Sequence, residues 1–157
     1  MNVQQQNQQK GFTIIEVILV LAIAGLIFLM VFLALPALQR GQRDTQRKTD
    51  LSRVLTAVQN YQSNNRNNVP QTNALSSFTS NYLRTGGDNF EDPNGTAYTL
   101  VNRTATASPT GDAGDGRIFY TAGATCGADG AATSGQGSKK VAVRMILEGG
   151  GVACESN

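Results

Sequence analysis

A single apolar segment dominates the hydrophobic pattern of the chain. It runs from Phe12 to Leu35 with the sequence FTIIEVILVLAIAGLIFLMVFLAL, and its only charged residue is Glu16. As an α-helix, these 24 residues would extend about 36 Å, which is enough to cross about 30 Å of hydrocarbon. The pattern therefore predicts a polar leader over 1–11 and a hydrophobic transmembrane helix over 12–36.

Two stretches of different polarity follow this segment before residue 65. Residues 37–50 are polar and predict a solvated helical neck. Apolar residues then recur at the spacing of one helix face: Leu51, Val54, Leu55, Val58 and Tyr61. We predict that 37–64 is an amphipathic extension of the first helix, that this face packs on the head, and that the Asn-rich segment ending at Pro70 stops the helix.

Residues 65–157 have the pattern of a small α+β head. A short helical segment is predicted over 74–83, before the turn-rich sequence GGDNFEDPNG. Strands are predicted over 96–101 and 117–121, and a terminal hairpin is predicted from KVAVRMILE and VACES. The expected fold class is α+β, with one long helix packed by its second half on a small antiparallel sheet.

The composition limits the chemistry that the chain can perform. It contains no histidine and no tryptophan, and its formal charge is +2. Imidazole catalysis is excluded, no basic face indicates nucleic-acid binding, and no catalytic constellation is present, so an enzyme is not expected. Cys126 and Cys154 lack a C-x-x-C spacing and predict a structural disulfide, with two free thiols as the alternative.

Acidic residues in the Gly-rich loops offer the remaining candidate ligands. Their oxygens could bind calcium, but their spacing does not match the EF-hand pattern: Asp88, Glu91, Asp92, Asp112 and Asp115. A solvated acidic surface is the favoured interpretation. We therefore expect no metal and no cofactor.

The residues that flank the start of the apolar segment resemble the processing site of type IV prepilins and pseudopilins. The matching sequence is KGFTIIE, from Lys10 through Gly11 and Phe12 to Glu16. The resemblance implies that a prepilin peptidase cuts after Gly11 and methylates the new amino terminus at Phe12. It also implies that the helix over 12–36 forms the filament core and that Phe12 and Glu16 act in subunit assembly. The resemblance agrees with a disulfide near the C terminus.

Cleavage after Gly11 would create a positive amine four residues before the carboxylate of Glu16, on the same helical face. A charge in an apolar environment is costly unless it is paired, so pairing the Phe12 amine of one subunit with Glu16 of another would favour a defined stagger. Pairing within one subunit remains an alternative. Gly25 and Pro36 bound a segment similar to one that melts in many pilin filaments, although Pro36 could simply mark the end of the membrane span.

The resemblance implies a structural subunit of a type IV pilus filament used in adhesion, motility or DNA uptake. Its expected partners are further copies of itself, the prepilin peptidase and the membrane assembly machinery. The precursor would lie in the cytoplasmic membrane with its N terminus inside, although basic residues after the span favour the opposite orientation. The alternatives are a pseudopilin of a type II secretion or competence system, a non-polymerising anchored extracellular binding domain, and a cleaved signal peptide.

Overall fold

The computed structural model describes residues 11–157 and begins with a long α-helix, α1, Ile14–Asn64. This helix is long and apolar enough to cross a membrane. Gly25 and Pro36 lie inside it without interrupting it, and melting of this segment in a filament stays a prediction. The chain divides into two compact units, one ending at Leu38 and the other spanning Gln39–Asn157, which are described separately.

The end of α1 lies in the Asn-rich segment, as predicted. Arg66 and Asn67 adopt positive φ angles of 54° and 61°, which an α-helix cannot continue through. The backbone N–H of Asn67 donates to the carbonyl of Gln62 at 2.8 Å. This bond satisfies one of the carbonyls that the last helical turn leaves without a partner.

A second helical segment follows, close to the predicted bounds of 74–83. It consists of a 3₁₀ turn, Thr72–Ala74, a single α-helical turn, α2, Leu75–Phe78, and a π-helical turn, Thr79–Leu83. Its apolar side chains are buried in the core of the head: Leu75, Phe78 and Leu83. The periodicity of this short segment therefore identified a real element.

Six strands complete the head: β1 Thr99–Asn102, β2 Arg117–Ala122, β3 Ala124–Cys126, β4 Ala132–Ser134, β5 Val141–Ile146 and β6 Val152–Ser156. Four of them form a sheet in the order β1-β2-β5-β6, while β3 and β4 pair separately. The predicted terminal hairpin is β5 and β6, which pair antiparallel. The sequence analysis did not predict β3 and β4.

The antiparallel sheet that the sequence predicted is in fact mixed, because β1 pairs parallel to β2. The α+β class is confirmed, but this strand direction was predicted wrongly. A parallel pair needs a connection of about a dozen residues or more to bring the chain back to the same end of the sheet. The segment 103–116, which joins β1 to β2, is long enough for that return.

The four-stranded sheet is covered on both faces. The main core joins the second half of α1 to one face, with Leu51, Val54 and Val58 clustered with residues of β2 and β5. All five predicted helix-face residues belong to this core, where Tyr61 is partly buried. A smaller cluster on the other face contains Ala105, Ala124 and Ala142, with the two cysteines packed against it.

Candidate functional site

The start of α1 is held by a reciprocal pair of side chains, Thr13 and Glu16. One carboxylate oxygen of Glu16 accepts hydrogen bonds from the backbone N–H of Thr13 at 3.1 Å and from its hydroxyl at 3.0 Å. The Thr13 hydroxyl in turn accepts the backbone N–H of Glu16 at 3.3 Å. This arrangement is a capping box, which satisfies N–H groups that have no partner within the helix.

The first residues of this region are solvent-exposed. Gly11, Phe12 and Glu16 are all exposed, and Phe12 retains 89% of its accessible surface. Lys10 lies outside the described residues. No packing among residues 11–157 therefore shields the Gly11–Phe12 peptide bond from a peptidase.

The apolar part of α1 is exposed on every side. Every exposed large hydrophobic side chain among residues 11–157 falls between Phe12 and Leu38. A surface of this size is far larger than the apolar patches that soluble monomers leave in water. It requires lipid or other protein chains around it.

Comparison with known families identifies this region. Residues 6–32 match the family model described as the prokaryotic N-terminal methylation motif. The chain carries a type IV prepilin-like processing motif. No curated protein and no solved structure matches the chain.

This prepilin-like motif contains a helix-capping residue that the sequence analysis did not single out, Thr13. Threonine followed three residues later by Glu16, just before an apolar run, is the capping-box signature. The pattern was therefore present in the sequence. The structure gives Glu16 a local role in starting the helix, in addition to any role between subunits.

A second cluster of charges lies within the head unit, around Arg47. The side chain of Arg47 is fully buried. Its Nε and Nη2 atoms donate to the two carboxylate oxygens of Asp92 at 2.6 and 2.8 Å, Nη1 donates to Asp44 at 2.9 Å, and Nη2 also donates to Glu148 at 2.8 Å. We call these four residues the Arg47 cluster. Hydrogen bonding to Asp92 is the main cause that raises the pKa of Arg47, so it stays charged.

The Arg47 cluster fastens the turn between β5 and β6 to α1. Asp44 accepts the backbone N–H groups of Glu148 and Gly149 at 2.9 and 2.7 Å. Arg43 donates from Nε to Glu148 at 2.9 Å. The hydrogen bonds from Arg43, and then the single one from Arg47, outweigh burial and lower the pKa of Glu148 to about 2.

The prediction that 37–50 is a solvated neck is wrong for this part of the helix. Asp44, Arg47 and Asp50 are buried. Opposite charges and backbone N–H groups satisfy the polar atoms of Asp44 and Arg47. The side chains of Tyr98 and Gln46 donate to Asp50. A hydropathy pattern does not register such partners. The three buried residues lie three positions apart, and Arg47 lies four residues before Leu51, so they continue the face that begins at Leu51.

The sequence FEDPNG forms the turn that supplies Asp92. The backbone N–H of Gly95 donates to the carbonyl of Asp92 at 2.7 Å, and Gly95 has a φ of 87°, which favours glycine. Next to this turn, the hydroxyl of Tyr98 donates to Asp50 at 3.0 Å. Burial raises the pKa of Asp50, while hydrogen bonds from Tyr98 and Gln46 act against that rise.

Three of the five acidic side chains considered as calcium ligands are paired with arginine. Asp92 is bound by Arg47. Asp88 pairs with Arg53. Asp115 pairs with Arg117, and the Nε of Arg117 donates to the Asp115 carboxylate at 2.8 Å. Within the described residues, no group of three or more His, Cys, Asp or Glu side chains could hold a metal ion.

Cys126 and Cys154 form a disulfide, with their Cα atoms 5.7 Å apart. The bridge joins the small β3–β4 hairpin to β6 of the main sheet. It therefore ties together two parts of the head that the chain connects only through a long intervening segment.

Proposed function

We propose that this chain is a structural subunit of a type IV pilus filament, cut after Gly11 and assembled with further copies of itself through the apolar part of α1. The exposed apolar surface between Phe12 and Leu38 carries this proposal, in combination with the methylation motif. A single copy in water cannot cover that surface. Lipid covers it in the precursor, and the same segment of neighbouring subunits covers it in the filament.

The proposed location is the cytoplasmic membrane for the precursor, with the leader inside, and the cell exterior for the mature filament. The disulfide between Cys126 and Cys154 supports an outward-facing head, since disulfides persist in oxidising compartments. The proposed partners of the precursor are the prepilin peptidase and the membrane assembly machinery. The role is structural, and no catalytic step is assigned to the chain.

Processing is tested by mass spectrometry of the amino terminus, in cells with and without their prepilin peptidase. We expect the membrane-associated chain to begin at N-methylated Phe12 only when the peptidase is present. An intact leader in peptidase-containing cells would contradict the proposal. A start shortly after Leu38 would instead identify a cleaved signal sequence.

Assembly is tested with two substitutions of Glu16 that separate its charge from its capping role. Glutamine can replace glutamate in a capping box, so Glu16→Gln keeps the helix cap and removes only the charge. Glu16→Ala removes both. If charge pairing with the Phe12 amine drives assembly, both variants should lose filaments in electron micrographs while their membrane levels stay normal.

A matched control addresses the cap alone. Thr13→Ala removes the hydroxyl of the capping box and leaves the charge of Glu16 in place. We expect this variant to form filaments. Normal filaments from Glu16→Gln, with loss in both Glu16→Ala and Thr13→Ala, would show that capping rather than charge is required. Normal precursor display without filaments in the unmodified chain would favour an anchored domain.

A further inference from the structure

The face of the sheet opposite α1 carries a buried arginine without a counter-charge. Arg144 lies on β5, an inner strand, where it is paired with Phe119 on β2 and Cys154 on β6. Only 1% of the residue is exposed, and it belongs to none of the ion pairs formed among residues 11–157. A guanidinium group does not give up its proton in proteins, so its burial without a negative partner is costly.

The polar atoms of Arg144 are also incompletely bonded. Nη2 donates to the carbonyl of Thr104 at 3.2 Å and lies 3.5 Å from the hydroxyl of Thr121. Nε is buried and has no hydrogen-bond partner among the described residues. Burial, with a smaller contribution from the nearby charge of Arg103, lowers the pKa of Arg144. Arg47 shows the contrast, since three carboxylates surround it.

Arg103 is a second arginine whose buried Nε has no hydrogen-bond partner among the residues that the structure describes. The Nη2 atom of Arg103 donates to the hydroxyl of Thr110 at 3.0 Å. Its guanidinium carbon lies 5.7 Å from the ring centre of Phe119, the cross-strand neighbour of Arg144. Two arginines thus share one side of the sheet without a carboxylate bonded to either of them in the described chain.

Arg144 forms part of the wall of an open cleft of about 290 Å³. The segment between β1 and β2 contributes Thr106 and Ser108 to the cleft, and the β3–β4 loop contributes Asp129 and Gly130. This volume lies just below the usual range for small-molecule sites, which begins at about 300 Å³. It suits a compact group of a few heavy atoms.

We propose that this cleft binds a small oxyanion, a carboxylate or a phosphate group, through the guanidinium of Arg144. The planar fork of N–H donors in arginine matches two oxygens of either group. Binding would supply the missing acceptor and offset the charges of Arg144 and Arg103. Asp129 is the acidic residue that lines the cleft, and it competes with an external anion for the same arginine.

The test uses the full chain in non-ionic detergent micelles, with ¹⁵N-labelled arginine. Inorganic phosphate and acetate are titrated separately against chloride at constant ionic strength, and the Nε–H resonance of Arg144 is followed by NMR. We expect a saturable shift of this resonance. We also expect phosphate to raise the unfolding temperature. In Arg144→Met, the phosphate concentration needed for the same rise should be about tenfold higher or more, which is the loss of affinity expected from removing a charged hydrogen bond.

Arg53→Met is the matched control, because Arg53 is paired with Asp88 and does not line the cleft. This variant should keep the full response to phosphate. A response to phosphate alone supports a phosphate site, and a response to both anions supports a general oxyanion site. No saturable shift with either anion overturns the proposal. The proposal is also overturned if the Arg144 resonance shifts in Asp129→Asn without added anion, because that shift would identify Asp129 as the internal partner of Arg144.

Discussion

Replacing Arg47 by methionine should destabilise the head more than any other single charge removal in the described part of the molecule. Methionine keeps an unbranched apolar stem, although a shorter one, and removes every donor. Three carboxylates would then lose their shared cation: Asp44, Asp92 and Glu148. Asp92 is the worst affected, because its side chain is completely buried and both of its oxygens bind Arg47.

The expected loss follows from the burial of this cluster. Removing one member of a buried ion pair costs about 3 to 5 kcal/mol, because the remaining charge is left unpaired. For a domain of this size, that corresponds to a fall of roughly 10 to 20 °C in unfolding temperature. The assay is thermal unfolding of the full chain in detergent micelles, followed by near-ultraviolet circular dichroism of the tyrosines in the head.

Arg53→Met is the control for this prediction. The pair between Arg53 and Asp88 has the same chemistry, but its side chains are 41% and 44% exposed. Exposed pairs contribute little to stability, so we expect a change close to the error of measurement. Equal destabilisation by Arg47→Met and Arg53→Met would refute the reasoning, because burial would then have no bearing on the loss.

Three further predictions use the same unfolding assay. Glu148 has a pKa of about 2 in the folded chain and about 4.3 in the unfolded chain, so its ionised form stabilises the fold, fully so above the unfolded value. The free energy of unfolding should therefore fall between about pH 5 and pH 2, and it should fall less steeply in Glu148→Gln. Asp50 has a raised pKa in the folded chain, which costs stability when it is ionised; Asp50→Asn should therefore raise the free energy of unfolding at pH 7, with the gain shrinking as the pH falls toward the pKa of an unfolded aspartate. Replacing Cys126 and Cys154 together by serine should lower stability by about 3 to 4 kcal/mol on loop-entropy grounds, and adding a reductant should then have no further effect.

The long apolar helix and the α+β class could be predicted from the sequence because each depends on local patterns. A continuous apolar run from Phe12 identifies a helix whatever it packs against, and the stripe beginning at Leu51 gives both the helix and its buried face. The turn signals around Pro70 placed the end of α1 within a few residues. These features need no knowledge of distant contacts.

The remaining features depend on contacts between distant segments. Arg47 meets Asp92 across 45 positions and Glu148 across 101, so their partnership leaves no local signal and the polar residues of 37–50 were interpreted as solvated. The parallel pairing of β1 and β2 likewise depends on the route of the connecting segment. The strands β3 and β4 have three residues each and consist largely of small side chains, which carry little periodicity.

The capping box explains why a hydrogen-bonding side chain lies at position 16, but not why that side chain is charged. Glutamine would cap the helix equally well and would cost less in an apolar environment, so capping by itself does not account for a charged side chain there. Thr13 leaves the negative charge in place, because a neutral hydroxyl and a backbone N–H satisfy hydrogen bonds without neutralising a carboxylate. A carboxylate within the apolar surface therefore gains from a nearby cation. In the proposed function, cleavage after Gly11 produces that cation at Phe12, and the same cut that releases the leader completes the pair on which assembly depends.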